Sequence, residues 1–233
     1  MLTFALASAL MFFTLTPTQG IRKIVMMGDS ITEQGVQEGG YVDLVAKNLV
    51  GVEVIGAGIS GQKVPDMLAR FQKDVIDRKP DIVTLSVGVN DVWHDFMNPE
   101  WTKRVPKGNS GRGVALNTYI AGIEKMADMA QQAGIRMILL SPTVIYEDLG
   151  CAENKRLEGY IKAAEGLAKR RGLTYVHLYR AFSDAIKGYQ KHAGKGHLLL
   201  TYDGVHMNAA GNVLMAQQVL KALGKELPDV VKP

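Results

Sequence analysis

From Ile21 onward the chain alternates short apolar runs with longer stretches of helical period, and no other feature restricts the fold as much. Ile21–Met27, Val52–Ile55, Asp81–Val87, Ile135–Leu140 and Thr174–Leu178 read as strands. Tyr41–Val50, Val64–Arg78, Val114–Ala133, Asn154–Arg171 and Tyr179–Lys191 repeat their apolar residues at helical spacing. Pro65 is tolerated in a first helical turn, and Asn208 is placed to cap a last helix that runs to Leu223. When a helix separates each strand from the next, neighbouring strands run parallel and the crossovers are right-handed. The third run, DIVTLSV, is nearly continuous in apolar residues, as expected of a strand covered on both faces. The expected fold is therefore α/β: a three-layer α/β/α sandwich around a flavodoxin-like five-stranded parallel sheet in order 2-1-3-4-5. Residues 21–233 form one expected domain, with no internal repeat or low-complexity tract.

In such a sheet the carboxyl ends of the strands share one edge, and ligands and chemistry collect there. The polar signals of this sequence fall on that edge. Gly28-Asp29-Ser30-Ile31-Thr32 delivers a hydroxyl straight out of the first strand, with glycine suited to a sharp turn and aspartate able to hold it. Gly56-Ala57-Gly58-Ile59-Ser60-Gly61 ends the second strand, and Gly88-Val89-Asn90-Asp91 ends the third. Asp203-Gly204-Val205-His206 follows the last strand and precedes the last helix. Each block alone has a structural reading, Asp29 and Ser30 as helix caps for example. Together they supply a nucleophile, a base, an orienting carboxylate and oxyanion donors, the parts that acyl transfer needs.

These four blocks, in this order, resemble those of the GDSL esterases, or SGNH hydrolases, over essentially all of residues 21–223. The resemblance implies that Ser30 is the nucleophile and that Asp203 and His206 complete the triad. It also implies that the Ser30 and Gly61 N–H groups and the Asn90 side-chain amide form the oxyanion hole. Many family members carry Asn where Gly56 stands, a position read here as structural. The implied activity is hydrolysis of small acyl esters, carbohydrate O-acetyl esters among them, through an acyl-enzyme and without cofactor or metal. Lysophospholipase or thioesterase activity is also represented in the family, and an idle carbohydrate-binding protein on the same fold is the alternative from another class. The absence of a long apolar lid tilts the reading toward short acyl groups.

The other motifs point elsewhere less well. Residues 56–61 match the dinucleotide pattern G-x-G-x-x-G, but no acidic residue closes the next strand around Val87 to hold a ribose. The elbow G-x-S-x-G, the P-loop and the zinc motif H-E-x-x-H are all missing. A net charge of +4, spread along the helices, does not form the basic stripe of a nucleic-acid binder. Cys151 is the only cysteine, so neither an intrachain disulfide nor a cysteine metal cluster can form.

Residues 1–20 carry no charged side chain, and their apolar core fits the hydrophobic region of an export signal cleaved before Ile21. The mature chain is then expected outside the cytoplasm with no stable membrane insertion. The missing basic start leaves an uncleaved anchor or a displaced start codon as alternatives. The stretch 92–113, with Trp93, His94, Trp101, Lys103, Arg104, Lys107 and Arg112, is the longest break in the alternation. It reads equally as a border of the substrate pocket, where indoles stack on sugars, and as a surface loop pinned by its two tryptophans. Asp29 and Asp91 read as turn-holding groups and His177 as a strand-packing residue. His192 and His197 read as solvated, and Glu147, Asp148 and Glu153 as surface residues.

Overall fold

The strands that the apolar runs predict do assemble, and in the expected order. In a computed structural model, described here for residues 21–226 apart from Pro99 and Lys195, β1 (Lys23–Gly28), β2 (Glu53–Gly58), β3 (Ile82–Ser86), β4 (Arg136–Leu140) and β5 (Thr174–Val176) form one sheet. Every pairing is parallel and the order is β2-β1-β3-β4-β5. The export-signal expectation falls on residues 1–20, outside the described residues. Ile24 to Met27 on β1 and Ile82, Val83 and Leu85 on β3 are fully buried, because helices cover both faces of the sheet.

The helices are α1 (Ser30–Gly35), α2 (Tyr41–Lys47), α3 (Val64–Asp74), α4 (Val89–Trp93), α5 (Leu116–Gln132), α6 (Ala152–Arg171), α7 (Leu178–Ala193) and α8 (Ala209–Glu226). Helices α3, α5 and α6 pack together in one layer, and α2, α7 and α8 in the other, so the sandwich has three layers. Several boundaries differ from the sequence reading. The segment from Val64 breaks at Val75 into α3 and a 3₁₀ turn over Ile76–Arg78. Strand β2 runs on through Gly56 to Gly58, where a side chain at Gly56 would meet Val36. Helices α1 and α4 are too short to carry a periodic apolar signal, and neither was legible as a helix. His177 lies one residue past β5, half-buried, and bonds Glu165 at 2.8 Å. His192 and His197 are exposed. Asn208 does cap α8, its Oδ1 accepting the Gly211 N–H at 3.1 Å.

Side chains buried at the sheet edge hold the turns that leave it. Arg70 on α3 donates to the carbonyls of Gly28 and Ala57, at 2.9 and 3.0 Å, and so ties the ends of β1 and β2 together. Asp29 accepts the Ile31 N–H at 3.0 Å. Asp91 accepts the Val64 N–H at 3.1 Å, which fixes the first turn of α3, while its Oδ2 is buried without a partner. Both aspartates therefore hold turns, as their positions predicted.

Burial, only partly offset by the Val64 N–H and reinforced by nearby Asp29, raises the Asp91 carboxyl to about 7. An acid raised in the fold keeps its proton between its unfolded value and about 7, so its cost to stability grows as pH rises through that window. Asp91→Asn is expected to gain stability relative to the parent between pH 4 and pH 8, by up to about 4 kcal/mol. Denaturant melts at the two pH values measure the difference, and a constant difference would contradict the assigned burial.

Candidate active site

The sequence places a serine at the end of β1 and a histidine just before α8, and the fold joins them. Ser30 is the first residue of α1, so its backbone N–H is one of those a helix start leaves without an internal partner. Its Oγ lies 2.9 Å from His206 Nε2. On the other side of the ring, His206 Nδ1 lies 2.6 Å from Asp203 Oδ2. Asp203 Oδ1 also accepts the backbone N–H groups of Val205 and His206, at 2.9 and 2.8 Å. With Asp203 taking the Nδ1 proton, the Nε2 lone pair faces the serine hydroxyl. Helix α7, the one read over Tyr179–Lys191, lies between the last strand and the pair, and Asp203 and His206 sit on the loop between α7 and α8.

The electrostatics of the three nearby carboxyls differ with their surroundings. Burial pushes Asp203 up, but the hydrogen bonds from the His206 ring and from the His206 and Val205 amides outweigh it, and the group is held below its ordinary value. It is thus a carboxylate at neutral pH, as an orienting partner must be. Asp29 is raised to about 6 by burial, against the opposing Ile31 N–H and the nearby His206. Asp91, raised further, points into α3 rather than at the serine.

Asn90 lies at the start of α4, buried, and one of its side-chain N–H groups donates to the Gln62 carbonyl at 3.1 Å. That bond joins the end of β3 to the Gly61–Gln62 turn beyond β2. Gly61 has φ 76°, a conformation that favours glycine, and is exposed; a side chain there would first meet the His94 ring at 4.0 Å. Ser30, Gly61 and Asn90 thus sit on three turns at one edge of the sheet.

The 92–113 stretch is pinned to the helix beside it. Its strand-like turn closes with an antiparallel bridge between Met97 and Arg104. Arg104 pairs with Glu153 on α6, and Arg156 on α6 pairs with Asp95 at 2.6 Å and lies over the Phe96 ring. Glu153 is fully buried, not the surface residue expected, because it is the anchor for Arg104. His94 is buried, and its burial, with Lys63 and Arg112 adding, lowers it to about 4, so the ring is neutral at pH 7. It packs edge-on against Trp101 at 4.6 Å, and the Arg112 guanidinium lies over that indole at 3.9 Å. Trp93 touches Trp101 and donates from Nε1 to the Tyr146 hydroxyl at 3.0 Å. Tyr202 lies nearly parallel to the His206 ring and reaches Gln34 through its hydroxyl. The sequence reading held Trp93, His94 and Trp101 as candidates, but it missed Tyr146 and Tyr202, which no local pattern marks.

Among the described residues, no cluster of His, Cys, Asp and Glu could hold a metal ion, and no helix is long and apolar enough to cross a membrane. A model of the GDSL-like lipase/acylhydrolase family matches residues 26–214, a span that includes Ser30, Gly61, Asn90, Asp203 and His206. The acetylxylan esterase of Geobacillus stearothermophilus is 28% identical over 221 residues, covering 88% of this chain and 94% of that protein. The isoamyl acetate-hydrolyzing esterase 1 homolog of Rattus norvegicus is 24% identical over 232 residues, covering 89% and 84%. Among solved structures, the acetyl xylan esterase AlAXEase matches with a TM-score of 0.76 at 30% identity, covering 86% of this chain and 99% of its own. With the fold, the edge and the matched span in agreement, the chain belongs to the GDSL-like lipase/acylhydrolase family and is a carboxylic ester hydrolase of the GDSL/SGNH type.

Proposed function

We propose that Ser30, His206 and Asp203 act as nucleophile, general base and orienting acid in removing acetyl groups from carbohydrate hydroxyls. The observation that carries the reading is the continuous line from Asp203 through the imidazole to the Ser30 hydroxyl, with contacts of 2.6 and 2.9 Å. His206 takes the Ser30 proton as Oγ attacks the ester carbonyl, and then gives it to the departing sugar oxygen. Water, activated by the same imidazole, releases acetate from the acyl-enzyme. The tetrahedral oxygen is held by the Ser30 and Gly61 N–H groups and by the second N–H of the Asn90 amide. The first N–H of that amide stays on Gln62 and keeps the group aimed.

Two features support an acetylated sugar as substrate. The sequence carries no long apolar lid of the kind a lipid acyl chain needs, which favours a short acyl group. Trp101, packed on His94, and Tyr202, stacked on His206, are 42% and 58% exposed and offer aromatic surface on which the C–H face of a pyranose can rest. Relatives named for acetylxylan point the same way. Variants of the Geobacillus stearothermophilus enzyme that lack an aspartate, or a histidine three residues later, are described as catalytic mutants, and Asp203 and His206 have that spacing. Residues 21–233 are proposed as one catalytic domain acting outside the cytoplasm, where such polymers are met.

Three outcomes follow. Ser30→Ala is expected to abolish turnover of p-nitrophenyl acetate, and Asn90→Ala to lower kcat by about 10²–10³-fold, with the circular dichroism of both unchanged; full turnover by folded Ser30→Ala would overturn the triad. In an acyl series, kcat/KM is expected to fall by about tenfold or more from acetyl to butyryl, since unplaced methylenes are costly in a short pocket; a rise with chain length would favour a lipid or thioester substrate. Trp101→Ala is expected to lower the ratio of kcat/KM on acetylated xylo-oligosaccharides to that on p-nitrophenyl acetate by about fivefold. An unmoved ratio would make the indole only a pin for its loop.

A further inference from the structure

After β4 the sequence reads Ser141-Pro142-Thr143-Val144-Ile145-Tyr146-Glu147-Asp148, an apolar run that ends in two acids. The sequence reading put Glu147 at the surface. The fold buries it, 4% exposed, because four donors converge on its carboxylate. The Leu199 N–H reaches Oε2 at 2.6 Å, and the Leu200 N–H, the Thr201 N–H and the Thr201 hydroxyl reach Oε1 at 2.7, 2.9 and 2.8 Å. Three consecutive amides with a hydroxyl around one carboxylate are charge-assisted bonds, the strong kind, at a site from which water is excluded. The segment so held runs directly into Tyr202, Asp203 and His206.

The residue before it grips the same loop. Tyr146 donates its N–H to the Gly204 carbonyl at 2.6 Å, and its ring lies where a side chain at Gly204 would have to go. Gly204 has φ 95°, and Tyr146 itself has φ 52°, an uncommon conformation for a bulky residue and one that clusters at functional sites. The Tyr146 hydroxyl accepts the Trp93 Nε1–H, and Trp93 ends the same short helix that carries Asn90 in its first turn. The turn is itself tied to α6: Asn154 accepts the Ile145 N–H and donates to the carbonyls of Ile145 and Asp148.

We propose that Glu147 is a positioning residue for the acid–base loop, and that the Tyr146–Glu147 turn sets that loop in register with the helix carrying Asn90. The inference rests on the triad reading given above. Glu147 touches no reacting atom; it acts by fixing residues 199–201, and through them the direction from which His206 meets Ser30. Replacing its carboxylate by an amide leaves an N–H facing the Leu199 N–H, so one donor loses its acceptor while the shape is kept. The loop is then free to drift where a shift of an ångström is felt strongly in rate.

The test is Glu147→Gln assayed on p-nitrophenyl acetate, with intact sites counted by stoichiometric reaction of Ser30 with a p-nitrophenyl phosphonate. The expected result is a fall in kcat per counted site on the order of 10- to 100-fold, with KM little changed. A merely structural role lowers the melting temperature and the number of counted sites but leaves kcat per site alone, and that outcome overturns the proposal. Thr201→Val, which removes one of the four donors, carries the same test where Glu147→Gln does not accumulate folded; kcat per site is expected to fall by about threefold or more. A parental value in Thr201→Val would likewise overturn it. An active Ser30→Ala would sink the triad reading, whereas an inactive Ser30→Ala beside a full-rate Glu147→Gln removes the positioning role alone.

Discussion

A serine and a histidine 176 residues apart must meet within one hydrogen bond, and the rest of the architecture serves that meeting. The parallel sheet solves half of the problem. Its strands deliver Ser30, Gly61 and Asn90 to one edge because every crossover returns the chain to the same side. The other half is harder, since His206 arrives on an irregular loop after α7. Loops have few repeating hydrogen bonds to hold them. Here the missing regularity is replaced by side chains: Asp203 gathers its own loop, Asn208 caps the helix beyond it, and Glu147 takes three amides from the strand-like entry.

The same edge holds carboxyls in unlike states. Asp203 is a charged acceptor surrounded by donors, whereas Asp29 and Asp91 lie deeper with few donors each and are held well above the ordinary range. Their proximity to one another adds repulsion to the loss of solvent. Asp91 therefore carries only part of its charge at neutral pH, while Asp29, raised to about 6, keeps most of its own. Asp203 is the one of the three held below its ordinary value, a full carboxylate against the imidazole.

The sheet order and the edge were legible because they rest on periodicity and on turn chemistry, which are local. DIVTLSV announced a strand buried on both faces, and Gly-Asp-Ser after an apolar run announced a hydroxyl at the sheet edge, though the fold buries Ser30 rather than exposing it. What stayed hidden depends on residues far apart in the chain. Glu147 and Glu153 look like any surface acids until Leu199–Thr201 and Arg104 are brought to them by the fold. The short helix Val89–Trp93 offers too few turns to show a face, so the spacing that puts Asn90 and Trp93 on one element could not be read. Tyr146 was silent for the same reason, since its importance lies in what it touches.

The 92–113 segment has a further property. The Val114 N–H bonds the Asp91 carbonyl at 2.9 Å, so the insertion between them starts and finishes at almost the same point of the scaffold. Its grip on α6 comes from side chains, Arg104 to Glu153 and Arg156 to Asp95, while the backbone beneath closes without it. The tip of it beyond Trp93, Trp101 included, can therefore be reshaped while the Trp93–Tyr146 bond and the line from Asp203 through His206 to Ser30 stay as they are.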